Sequence, residues 1–259
     1  GAPQPAFMGG QDGYVFRMNP TLSAVTWATY IGGSGDDSAY GVQFDSNGNL
    51  FVTGGTTSND LPMPGASADN AANGAADGFI MRYNGGTGAL TNATYVGTSA
   101  YDQCYLVQLD TDDNVYVAGQ THGAYPVTPG KYNNAGSSQF IHKFNNALST
   151  SQWSTVIGNS NGLQDMSPTA FLVSDCGQVY FTGWAGTTNG NAGNNSSTTA
   201  GNVTTADAFQ SATTGSDFYL IVLEPEAVAL NYATFFGGPS SAEHVDGGTS
   251  RFDKNGTVY

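Results

Sequence analysis

The sequence predicts an all-β fold, a β-propeller built of four-stranded antiparallel blades, and three observations carry that prediction. Four short segments recur in the same order along the chain. Each segment is apolar, β-branched or aromatic and is bounded by Gly, Asn and Asp turns. No window shows a capped 3.6-residue period, so almost no helix is expected. A four-stranded unit repeated at this spacing has the pattern of a propeller blade.

The third strand of the unit is the clearest. Asp12–Asn19 (DGYVFRMN) returns as Asp77–Asn84 (DGFIMRYN), as Ser138–Asn145 (SQFIHKFN) and, more loosely, from Asp217 to Glu224. The copies open at residues 12, 77, 138 and 217, which are 65, 61 and 79 residues apart. The fourth strand recurs as Ala28–Gly32, Ala93–Gly97, Ser154–Gly158 and Ala233–Gly237. The hairpin Val42–Gly54 recurs as Val107–Gly119 and Phe171–Gly183, and begins again at Arg251–Tyr259. The repeats are therefore 12–76, 77–137, 138–216 and an incomplete 217–259, within a single propeller region, 1–259.

With strands lettered a to d from the propeller axis outward, the first whole blade is 41–45, 50–54, 78–84 and 92–96. The second is 104–109, 114–119, 139–145 and 152–157. The third is 169–173, 178–183, 217–223 and 230–236. Residues 12–18 and 25–31 read as strands c and d of another blade, and strands a and b of a last one are expected after Asp246. Tyr259 aligns with Phe51, Tyr116 and Tyr180, inside a strand. The favoured expectation is a piece of a longer protein. The alternatives are half blades that complete each other within one chain or between chains, because an unpaired strand edge invites pairing.

Composition narrows the function classes. The 259 residues carry a net charge of −14 with only six Lys and Arg, a surface that repels nucleic acid and anionic membranes. The longest strongly apolar run, Phe218–Leu223, is far short of the roughly 20 residues a spanning helix needs, so no membrane insertion is expected. Low charge with abundant Gly, Asn, Thr and Ser points to a secreted or cell-surface protein. The chain opens without Met or a signal sequence, as a processed or excised piece would.

The segments Thr29–Asp37 (TYIGGSGDD) and Asp45–Gly54 (DSNGNLFVTG) resemble the SBBP family of β-propeller repeats. Ser174–Trp184 (SDCGQVYFTGW) is similar to a variant in large gliding-motility-associated surface proteins exported by the type IX system. The resemblance covers nearly the whole chain. It implies an exported, multi-domain surface or matrix protein and supplies no catalytic residues. The third and fourth copies lose the GGSGDD loop, and Ser138 replaces the opening Asp.

Strand direction places the long d–a and b–c connections on one face, the top, and the short a–b and c–d turns on the other. Asp36, Asp37, Asp102, Asp165 and Glu243 follow the strand d glycines on the top face, where carboxylates suit a Ca²⁺ ion or accept loop N–H groups. Asp110-Thr111-Asp112-Asp113-Asn114 has the alternating acids of a calcium loop but sits where a hairpin turn belongs. Arg17, Arg82 and Lys143 share one position on strand c, which predicts a structural ion pair or carbonyl contact in each copy.

His122, His142 and His244 lack metal-ligand spacing. No nucleophile-elbow pattern is present, and neither a catalytic nor a cofactor-binding set can be named. Cys104 and Cys176 fall on opposite faces, beyond disulfide reach, so no bond between them is expected. Gly186–Thr205 is a polar, low-complexity loop with glycosylation sequons at Asn195 and Asn202.

The sequence thus favours a non-catalytic surface module for adhesion, scaffolding or self-assembly, partnered by other modules or copies of itself through open half blades. The alternative is a carbohydrate-binding or polysaccharide-degrading propeller that uses its top-face loops.

Overall fold

The computed structural model describes residues 2–188, 197–245 and 252. The fold is all-β, a β-propeller of four-stranded antiparallel blades. In chain order the strands are β1 (Gly13–Met18), β2 (Val25–Ile31), β3 (Asp37–Phe44), β4 (Leu50–Thr56), β5 (Asp77–Tyr83), β6 (Leu90–Val96) and β7 (Asp102–Leu109). They continue as β8 (Val115–Thr121), β9 (Gln139–Phe144), β10 (Ser151–Ile157), β11 (Ser167–Val173), β12 (Val179–Trp184), β13 (Phe218–Leu223) and β14 (Leu230–Phe236). Three sheets have four strands each, ordered β3-β4-β5-β6, β7-β8-β9-β10 and β11-β12-β13-β14, and β1-β2 stands as a two-stranded sheet. The predicted strands sit where the sequence placed them, with ends shifted by a few residues.

Turn chemistry sets the hairpins. Between β3 and β4, Asp45 Oδ1 accepts the N–H groups of Asn47 (3.0 Å) and Asn49 (2.7 Å), and Gly48 N–H bonds Asp45 O at 3.0 Å. Gly48 has φ +76°, and its counterparts Asp113 and Gly177 have +62° and +81°. Only Gly, Asn or Asp takes this left-handed position cheaply, so the calcium-like run at Asp110 is a turn. Asp110 Oδ1 accepts Asp112 N–H at 3.0 Å and Asn114 N–H at 2.9 Å.

The chain divides into two compact units, Gly1–Val117 with Lys143–Gln152, and Ala118–His142 with Trp153–Tyr259. In the first, β4 is buried along its whole length, and Phe79, Met81, Tyr83 and Tyr95 join Leu50, Val52 and Trp27 in one core. Strand β7 packs across β3, β4 and β5, the inner strand of one blade covering the face of the blade before it. Glycines permit this approach: a side chain at Gly41 would begin 3.0 Å from Tyr105 O, and one at Gly78 would begin 2.5 Å from Cys104 Sγ. In the second unit the core is built on Trp153, Phe181, Tyr219, Ile221 and Phe235.

Two expectations are corrected. The inner strand expected at 104–109 begins earlier, at Asp102, so Cys104 lies two residues inside β7. Asn202 is a poor glycan acceptor: the residue is 8% exposed and its Nδ2 donates to Met166 Sδ at 3.4 Å. Asn195 and the strand pair expected after Asp246, Phe252 apart, lie outside the described residues.

Candidate functional site

The top-face carboxylates meet at the joints between blades. Asp77 heads β5, and its Oδ2 accepts N–H groups from Asn73 (2.7 Å) and Gly74 (3.3 Å). Asp102 heads β7, and its Oδ2 accepts from Thr98 N–H (2.7 Å) and Thr98 Oγ1 (2.8 Å). Gly97, just past the end of β6, stands between the two. A side chain there would begin 2.5 Å from Asp77 Oδ1 and 3.1 Å from Asp102 Oδ2. A parallel bridge, Ala76 to Tyr101, clasps the strand starts together, with Asp102 N–H on Ala76 O at 2.8 Å. Burial, with the Asp102 charge adding to it, raises the Asp77 pKa above the usual carboxylate range.

The clasp recurs. In the first copy Gln11 bridges Asp36, and Asp12 and Asp37 both close on Gly32. All four oxygens of that pair are satisfied. Asp12 accepts from Gln4 Nε2, Met8 N–H and Gly9 N–H, while Asp37 accepts from Gly33 N–H, Ser58 Oγ and Thr56 Oγ1. In the third copy, where Ser138 stands at the acidic position, Gln139 Nε2 donates to Asp165 Oδ1 at 3.2 Å. Burial pushes the Asp165 pKa up to about 6 despite that bond. In the fourth, Asp217 and Glu243 close on Gly237, and Glu243 N–H bonds Ser216 O at 2.9 Å.

Of the acids singled out as calcium candidates, Asp37, Asp102 and Asp165 are therefore buried at the joints, whereas Asp36 is exposed. No group of three or more His, Cys, Asp or Glu side chains converges among the described residues. The partners that sequence reasoning passed over are Asp12, Asp77 and Asp217. Their signal was present, since each opens a copy of strand c, but a repeated acid at a strand start reads first as a turn residue.

The shared strand c cations lie at the other end of the blades. Arg82 meets Asp45 at 3.4 Å and its guanidinium sits 5.8 Å from the Phe51 ring centre. Lys143 meets Asp110 at 3.1 Å and lies 4.9 Å from the Tyr116 ring centre. Arg17 donates to Gly85 O. Burial works against the Asp45 and Asp110 carboxylates, yet bonds from Asn49 and Asn114 and the nearby cations hold both pKa values below the usual range. His142 is buried, bonds Tyr125 Oη at 2.8 Å, and its pKa is pushed down to about 3 by desolvation. Cys104 is buried and Cys176 exposed, both as free thiols.

One comparison identifies the repeat. Residues 26–62 match the family model of the SBBP beta-propeller repeat. No curated protein matches the chain. The SBBP match begins on β2, crosses the top loop, takes in β3 and β4 and ends in the following loop, so it frames the Asp37 half of the clasp.

Against that SBBP unit, one surface is conspicuously uncovered. Strand β1 corresponds to β5, residue for residue, but among the described residues no strand pairs with its second edge. Tyr14 and Phe16 are 66% and 48% exposed, while their counterparts Phe79 and Met81 are fully buried. On β3, Tyr40, Val42 and Phe44 are also exposed. Val107, the counterpart of Val42 on β7, is buried, and Tyr105 and Leu109, the counterparts of Tyr40 and Phe44, are half-buried.

Proposed function

We propose that the chain is a secreted or cell-surface propeller module that serves adhesion, scaffolding or self-assembly without catalysis, in the manner of exported gliding-motility surface proteins. One observation carries this reading: the apolar edge and face formed by Tyr14, Phe16, Tyr40, Val42 and Phe44. A soluble surface seldom leaves a strand edge and a large apolar patch uncovered together unless something docks there. The occupant that fits is a strand a–b pair of the same repeat, supplied by another copy or module. Within the chain β3 and β4 form such a pair, with β4 alongside β5, and a second pair would lie in the same way beside β1. Each side chain covered offers roughly 1.5–3 kcal/mol of hydrophobic stabilisation before the cost of association.

Light scattering across a concentration series tests this. Self-association is expected for the native chain and a monomer for the Tyr14→Lys, Phe16→Lys double variant, both folded by circular dichroism. A native chain that stays strictly monomeric would sink the proposal.

A second reading, glycan binding, draws on two cavities of about 430 and 560 Å³ that share Tyr30 and Gln4. Pro62, Met63 and Tyr83 line the first, and Tyr14 and Thr29 the second. Retention on a glycan array that is lost in Tyr30→Ala, or polysaccharide hydrolysis lost with a top-face carboxylate, would favour it over assembly.

A further inference from the structure

The Asp77–Asp102 joint has carboxylate oxygens with nothing to hold. Asp77 is 1% exposed and Asp102 fully buried, yet Asp77 Oδ1 and Asp102 Oδ1 have no hydrogen-bond donor. The loop donors are all spent on the two Oδ2 atoms. The Asp217–Glu243 joint repeats the unpartnered oxygens, with Asp217 enclosed and Glu243 half-buried. Asp217 is fully buried, Thr213 Oγ1 and Thr214 N–H saturate its Oδ2, and Gly238 N–H with Ser241 Oγ saturates Glu243 Oε1. Asp217 Oδ1 and Glu243 Oε2 are left unpartnered, and a side chain at Gly237 would begin within 2.7 Å of both.

A buried carboxylate set beside a second one without a donor costs several kcal/mol unless a cation or a retained proton offsets its charge. The described basic side chains are committed elsewhere: Arg17 to Gly85 O, Arg82 to Asp45, Lys131 to Glu226 O and Lys143 to Asp110.

We propose that the Asp77–Asp102 and Asp217–Glu243 pairs are each a site for one hard divalent cation, of which Ca²⁺ is the fitting example. The molecule carries its own controls. Where a copy lacks the strand c acid, the Gln139 amide supplies the positive end of a dipole to Asp165, doing what the cation does elsewhere. Where loop donors satisfy all four oxygens, at Asp12–Asp37, no cation is called for. The donors are carboxylate oxygens, which suit Ca²⁺ rather than a soft metal. The neighbouring Cys104 remains a thiol, since burial pushes its pKa up. Gly97 and Gly237 let the two carboxylates of each pair approach the same backbone point, and the net charge of −14 favours uptake of a cation. The site closes a blade joint, independently of whether the module assembles.

The test is equilibrium dialysis of the full chain against Ca²⁺ after chelator treatment, with Tb³⁺ luminescence sensitised by the adjacent tyrosines as a second readout. Two ions per chain are expected in the native protein, one in Asp77→Asn, one in Asp217→Asn, and still two in Asp12→Asn. Native chain that takes up no Ca²⁺ overturns the proposal, as does an undiminished count of two in Asp77→Asn. Should Asp77→Asn fail to fold, Asp102→Asn makes the same prediction, and the count on native chain needs no variant.

Discussion

Strands β1 and β5 are two readings of one segment, and they differ only in what lies beside them. Their pairing with the following strand is identical: Gly13 faces Ile31 and Gly78 faces Val96, and both ladders slip at the same place, after Arg17 and after Arg82. Yet β5 is buried almost throughout, whereas β1 buries Val15 and little else. Strand identity is thus local, written in alternation and turns. Burial is not local, because β4 pairs with the second edge of β5 while no described strand pairs with the second edge of β1.

The widest gap should appear in the core. Phe79→Ala is expected to cost about 3–5 kcal/mol in chemical denaturation, as large-to-small changes at filled positions do. Tyr14→Ala at the same repeat position should stay within about 0.5 kcal/mol. Equal effects at the two sites would mean that β1 is covered in solution. The strand c cations come next. Lys143→Ala strands Asp110 in a largely buried site and should cost about 3 kcal/mol, while exposed Arg17→Ala should cost less than about 1 kcal/mol. Arg82, with its side chain 21% exposed, should fall between them.

A gentler probe is His142, which occupies the position of Phe16 and Met81. Its folded pKa is depressed to about 3, below the roughly 6.5 of the unfolded chain, so the unfolded state binds the extra proton. Its contribution is therefore complete above about pH 6.5 and is lost as pH falls toward 3, at about 1.4 kcal/mol per pH unit. Denaturation midpoints of native and His142→Met chains, compared from pH 7 to pH 5, should diverge by that slope. Parallel curves would show that the ring is not buried at all.

Much of the architecture was legible because its signals are short-range. Glycine and asparagine turns fix each hairpin, and the repeat supplies four aligned samples of every strand. What escaped was direction and pairing. Two adjacent acids, Asp36 and Asp37, look alike in sequence, and only the start of β3 at Asp37 decides which one turns inward. Asp102 and Gln103 read as loop because such residues are poor strand formers, yet β7 begins there under the clasp with Ala76. The polar composition around Asn202 suggested exposure, whereas Thr199 and Asn202 are buried in contacts that composition does not encode. The joint acids were visible singly, but their meeting across a glycine is a tertiary fact.

The two cysteines, set apart by burial, give the molecule a practical polarity. Cys176 is exposed in the turn between β11 and β12, while Cys104 is enclosed and its thiol is kept protonated. A maleimide applied to the folded chain should modify one position, at the turn end of a single blade. Tethered through that sulfur to a sensor chip or a gold particle, every molecule would be held by its short turns, with the loops of that blade directed outward for ligand screening.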